Sequence, residues 1–123
     1  MTKATPTVRS LALMRERGYY SVDVTAYHHP ASSRKFPRKK DLLGFVDALC
    51  FKPHDLTAVQ TTTASNIAAH IDKYTNTDVA HLVKLWLRAD CRIELHGWRP
   101  DEDDLRLITA YLDDEGRVVW GEG

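Results

Sequence analysis

No run of the chain comes near the roughly 20 consecutive apolar residues that a membrane-spanning helix needs, so no span is expected. Cysteine is scarce. Cys50 and Cys91 sit in strand-like runs and in no Cys/His spacing that holds zinc, so buried free thiols are expected. The six glycines are scattered, which excludes a glycine-rich phosphate cradle. Net charge is nil, with 17 Lys and Arg against 17 Asp and Glu, so bulk charge argues neither for nor against nucleic acid. The opening MTKATPTVRS has no apolar signal core, and a cytosolic protein is expected. There is no internal repeat and no low-complexity segment.

What is present has the make-up of one globular domain. The 123 residues suffice for one compact unit spanning 1–123, with Met1 to Pro6 as a loose tail. Thr7 is placed to cap a helix running to about Arg17, with Gly18 as its stop. Tyr19 to Tyr27 alternates as a strand, with Tyr20, Val22, Val24 and Ala26 on its covered face. His28 to Lys40 reads as a turn-rich basic loop. Leu42 to Lys52 and Leu56 to Thr62 read as two strands joined by a turn at Pro53 to Asp55.

Thr63 or Ser65 can cap a helix over Asn66 to Tyr74, whose core stripe is Ile67, Ile71 and Tyr74. Asn66, His70 and Lys73 line the adjoining face. Asp78 caps a further helix to Arg88, with Val79, Leu82, Val83, Trp86 and Leu87 inward. Cys91 to Trp98, Leu105 to Leu112 and Arg117 to Trp120 complete the strands, the last two joined by a turn at Asp113 to Gly116. The order αβββααβββ predicts an α/β (α+β) fold, a mixed central sheet flanked by helices. A three-strand meander followed by a helical crossover requires both kinds of strand pairing.

One stretch stands out chemically. Asp47 is a single carboxylate in the otherwise apolar GFVDALCF, where an unpaired charge would cost several kcal/mol. Gln60 and Thr62, two residues apart, share a strand face. Pairing through the turn at Pro53 to Asp55 brings Asp47 toward Gln60. A carboxylate, an amide oxygen and the intervening backbone carbonyl of Thr61 would be hard oxygen ligands of the magnesium type. The same residues also admit a plainer reading, a buried carboxylate satisfied by Gln60, Thr62 or strand-end amides. Among the six histidines, His96 is singled out because HGWR sets an imidazole, an indole and a guanidinium close together. Five basic residues, Arg34, Lys35, Arg38, Lys39 and Lys40, are able to contact phosphates or simply to form a solvated loop.

The runs KKDLLGFVDALCF, AVQTTTASNIAAHIDK and WLRADCRIELHGWRP, with the leading helix, cover most of the chain. Together they resemble the PD-(D/E)XK (restriction endonuclease-like) superfamily, and within it small phage and prophage proteins related to Holliday-junction resolvases. The resemblance implies a restriction endonuclease-like core. It implies a magnesium- or manganese-dependent DNA endonuclease, or a resolvase-like phosphodiester hydrolase of phage origin in the host cytosol.

Asp47 matches the metal-binding aspartate, and Gln60 stands where the second acidic ligand usually lies. The Thr61 carbonyl would be the neighbouring ligand, and Glu16 the acidic residue many members carry on the first helix. Thr62 departs from the pattern, standing where a lysine normally orients the attacking water. Either a lysine has moved, with Lys73, Lys39 and Lys40 as candidates, or the site is silent. DNA, branched forms included, is the implied partner, held by Arg34, Lys35, Arg38, Lys39, Lys40 and Arg99. A homodimer is the implied assembly, since two strands need two sites. The alternative is a catalytically inactive nuclease-fold protein that binds DNA or a phage partner protein.

Overall fold

A computed structural model describes residues 4–28, 38–40, 42–100 and 102–122, with the backbone alone described at 26–28 and 38–40. In chain order the elements are α1 (Pro6–Glu16), β1 (Tyr20–Asp23), β2 (Ala26–His28), β3 (Arg38–Lys40), β4 (Ala48–Lys52) and β5 (Asp55–Thr63). A 3-10 turn (Ala64–Asn66), α2 (Ile67–Asn76), α3 (Val79–Arg88), β6 (Arg92–Trp98), β7 (Leu105–Leu112) and β8 (Val118–Glu122) follow. Six strands form one sheet in the order β1-β4-β5-β6-β7-β8. Every neighbouring pair in it is antiparallel except β5 and β6. The expected mixed sheet flanked by helices is present. A separate two-stranded ribbon, β2 with β3, adds to the expected order. Among the described residues no helix is long and apolar enough to cross a membrane.

Helix α1 begins two residues earlier than Thr7 suggests. Thr5 is the N-cap, its hydroxyl accepting from the Val8 amide at 3.4 Å, and Pro6 opens the helix where a missing N–H costs nothing. Thr7 is instead buried beneath the helix, and the loose tail does not extend to Pro6. At the other end Gly18 takes φ +91°, and the Gly18 and Tyr19 amides bond back to the Arg15 and Met14 carbonyls, both at 3.0 Å. This glycine stop turns the chain sharply and tucks Tyr19 under α1 beside Leu11, Met14, Ala48, Cys50 and Val59.

That turn inverts the expected face of β1. With Tyr19 and Ser21 covered by α1, Tyr20 and Val22 point away and are 66% and 38% exposed. The strand also stops at Asp23, where the Asp23 carboxylate accepts from the Thr25 amide and hydroxyl and breaks the alternation. On the sheet's other side α2 and α3 lay down Ile67, Tyr74, Val83 and Leu87, as their stripes predict. Asp78 makes no side-chain cap; the Val79 amide is held by the Thr77 hydroxyl at 3.3 Å. Both cysteines are free, Cys50 buried and Cys91 partly so.

The strand expected from Leu42 is shorter. Leu42 to Val46 form a tight turn, closed by Leu42 and Val46 bonding each other's backbone at 3.0 Å. Asp47 therefore sits at the entrance of β4, not in its middle. Its amide still bonds the Val59 carbonyl at 2.9 Å, and its carbonyl accepts from Val24 at 2.9 Å, so the sheet register reaches it.

Candidate functional site

The β4–β5 register pairs Ala48 with Val59, which puts Asp47 opposite Gln60, as the hairpin predicts. Asp47 is 5% exposed and Gln60 2%. Asp47 Oδ2 accepts from Gln60 Nε2 at 2.5 Å, from the Thr61 amide at 2.8 Å and from the Thr61 hydroxyl at 3.1 Å. Because the Thr61 proton is used on Asp47, the Thr7 hydroxyl donates to Thr61 Oγ1 at 2.9 Å. Charge-assisted donors of this kind are what make a buried carboxylate tolerable. The plainer reading of Asp47 is thus met in part, by Gln60 and Thr61 and not by Thr62.

These groups line an open cleft of about 360 Å³ together with Thr5, Pro6, Thr7 and His70. Gln60 must turn its NH2 to the carboxylate, which leaves Oε1 as a buried acceptor with no donor among the described residues. Leaving such an atom unmet costs on the order of 1–3 kcal/mol. The Thr61 amide faces Asp47, and by strand alternation its carbonyl lies on that side too, where β4 has given way to the Leu42 to Val46 turn. Asp47, Gln60 Oε1 and the Thr61 carbonyl therefore fit a hard divalent cation in chemical type. Among the described residues the site holds one carboxylate. Among the described residues no group of three or more His, Cys, Asp or Glu could hold a metal ion.

The remaining sequence candidates are dispersed. Thr62 is buried on the Gln60 face of β5 but does not line the cleft. Glu16 lies at the opposite end of α1 from Thr7, about 13 Å along the helix axis, and is exposed. Lys73 sits on α2 one turn beyond His70 and is not a lining residue. Arg99 follows β6, is 60% exposed and pairs with Asp104 at 3.0 Å. It lines a separate groove of about 410 Å³ with Arg106 and Glu122. Arg34 and Lys35 lie outside the described residues, as do the side chains of Arg38, Lys39 and Lys40. The backbone of those last three forms β3, pairing Lys40 with Ala26, so the ribbon springs from the segment that joins Val24 to Asp47.

His96 belongs to a different network. On the α1 side of β6 the Trp98 indole donates to Ser10 Oγ at 2.8 Å, and Ser10 bonds His96 Nδ1 at 2.8 Å. His96 Nε2 meets Glu94 Oε1 at 2.8 Å, and Arg17 forks onto both Glu94 oxygens at 2.9 and 3.1 Å. Since the indole is a donor only, the serine proton goes to Nδ1 and the Nε2 proton to Glu94, which uses every group. Burial pushes the Glu94 carboxyl up, but the His96 and Arg17 hydrogen bonds outweigh it and hold it at about 2. Ser10, Glu94 and His96 are at most 1% exposed, so this serine–histidine–glutamate chain lies beyond the reach of a substrate. It clamps α1 to the sheet.

The sequence reading left His70 and Thr7 out of the site. The signal for His70 was its position between Asn66 and Lys73 beside the core stripe of α2. Thr7 carried none, because a threonine at a helix start reads first as a cap. No family model, curated protein or solved structure matches the chain.

Proposed function

We propose that the chain is a metal-dependent DNA endonuclease or resolvase-like phosphodiester hydrolase of the PD-(D/E)XK type. The observation that carries this reading is the buried Gln60 Oε1, without a donor among the described residues, beside the Asp47 carboxylate in an open cleft. The sheet order adds support, since a three-strand meander crosses through α2 and α3 to a parallel β6, the arrangement the resemblance implies. So does the position of the basic ribbon, whose base pairs Ala26, two residues beyond the Val24 that bonds the Asp47 carbonyl, with Lys40, seven residues before Asp47.

Asp47, Gln60 and the Thr61 carbonyl would hold magnesium or manganese. Such an ion, when bound, lowers the pKa of water and offsets charge on a phosphodiester. The chain's own part is to fix those ligands. Thr61 and Gln60 orient the carboxylate, and Thr7 orients Thr61. Arg34, Lys35, Arg38, Lys39 and Lys40 would hold the DNA backbone, with Arg99 on the far flank.

The test is cleavage of linear and branched DNA with and without magnesium or manganese. Wild type is expected to cut only with metal. Asp47→Ala and the isosteric Asp47→Asn are expected to bind DNA and not cut it. Equal absence of cleavage in wild type and both variants would overturn the reading.

A second reading is favoured by the single carboxylate and by the three donors already on Asp47 Oδ2. In it the fold binds DNA or a phage partner protein without chemistry. Salt-dependent DNA binding with no metal uptake at Asp47 would establish it.

A further inference from the structure

We infer that Leu43, with Leu42 beside it, is an apolar wedge that opens the base stack of a bound DNA near Asp47; the inference rests on the reading above that the chain binds DNA, whether or not it cuts. The turn that leads into Asp47 is built around an outlier. Three described residues other than glycine have a positive φ: Leu43 (+56°), His54 (+63°) and Asp90 (+63°). Histidine and aspartate are enriched in that region, whereas a leucine there is strained. Gly44 follows at φ +82°, and the Phe45 amide bonds the Leu42 carbonyl at 3.2 Å. Positive φ at both central residues is the pattern of a type I′ turn, whose first central position favours asparagine, aspartate or glycine. A leucine in that position gains little from burial in return, because Leu42 is 41% exposed and Leu43 42%. Strain kept without packing to offset it points to a use outside the fold.

The turn is also rigid. Leu42 and Val46 bond each other's backbone at 3.0 Å, and Phe45 and Val46 are buried beneath it. A Cβ at Gly44 would fall 2.9 Å from a Val79 methyl, so the turn packs closely on α3 and displays Leu43 at its tip. The Leu42–Val46 bridge keeps the Leu43 Cα within about 13 Å of the Asp47 Cα. That span is roughly four base steps at 3.4 Å each. On the other side the sequence runs back into Arg38, Lys39 and Lys40, the residues of β3. Cations on phosphates beside an apolar pair are the two parts of a wedge, the leucines parting a base step while the charges hold the backbone. The fitting substrate is a DNA whose bases part at little cost, as they do at a branch.

The experiment places 2-aminopurine at successive positions of a branched and a linear DNA and reads its fluorescence as protein is added, without metal so that no strand is cut. Wild type is expected to raise the fluorescence at positions beside the branch. Leu43→Asn suits the positive φ, so it is expected to keep or raise the urea midpoint, to bind with an unchanged salt slope and to lose most of the fluorescence rise. Leu43→Met keeps a long apolar side chain and is expected to keep the rise. A rise that Leu43→Asn retains, or none in a wild type that binds DNA, would overturn the inference and leave the DNA reading standing. A wild type that binds no DNA would overturn both. Self-association of wild type that Leu43→Asn abolishes, with no rise at any position, would make the turn a contact between copies and overturn the inference as well.

Discussion

Glu94→Gln removes one charge from the buried clamp between α1 and β6 and leaves volume and hydrogen-bonding shape almost intact. The Glu94 carboxyl is held down from 4.5 to about 2, a difference worth roughly 3 kcal/mol between its two protonation states. Arg17 is 35% exposed, and solvent screens part of its share; a loss of about 2 kcal/mol at pH 7 is therefore expected. A carboxyl whose folded value lies below its unfolded one stabilises the fold fully above about pH 4.5. It gives that stability up as the pH falls toward 2. Protonated Glu94 and its amide replacement are nearly the same shape, so the two proteins should converge in stability at the acid end. Urea unfolding followed by tryptophan fluorescence, in steps from pH 7 to pH 2, measures both curves. A gap that stays constant down to pH 2, or one under about 0.5 kcal/mol at pH 7, would refute the reasoning.

Two more predictions concern close packing and charge, beside the one made for Asp47. A Cβ at Gly97 would fall 2.4 and 2.7 Å from Ile67 side-chain atoms and 3.1 Å from the Ala64 backbone. Gly97→Ala should therefore cost about 1–3 kcal/mol, read as a lower urea midpoint; an unchanged midpoint would show that the start of α2 gives way freely. Reversing both Lys39 and Lys40 to Glu should weaken DNA binding and reduce the salt slope by roughly one for each phosphate that is no longer neutralised. An unaltered slope in a binding titration would remove β3 from the DNA surface.

The helices and the sheet were legible because their signals are local and periodic. The stripes of α2 and α3 are written at spacings of three and four, and each faces the core as read. The proximity of Asp47 and Gln60 was legible because a short turn folds the two strands back on each other; the turn is one residue tighter than the Pro53 to Asp55 expected, since Lys52 pairs with Asp55. The face of β1 was misread because Tyr20 and Val22 are apolar, yet the parity is set by where the glycine stop at Gly18 leaves Tyr19. The Leu42 to Val46 turn was hidden because an apolar run does not reveal whether it is extended. Glu94 read as an ordinary strand residue and His96 was singled out only for its neighbours in HGWR, since their partners Arg17 and Ser10 lie 77 and 86 positions away. Long-range polar pairing leaves no periodic trace.

The sheet is in effect two antiparallel halves sewn along the single β5–β6 seam. The first half, β1-β4-β5, already contains Asp47, Gln60 and Thr61, and each is brought into place by one hairpin. The second half, β6-β7-β8, is made of neighbours in sequence, whereas in the first only β4 and β5 are, since β2 and β3 intervene between β1 and β4. Only the seam requires the whole α2–α3 crossover to be in place, and contacts so distant in sequence are the slow ones to form. The carboxylate and its donors should accordingly assemble early, on the faster-closing side, while the joining of the halves limits the rate at which the finished molecule appears.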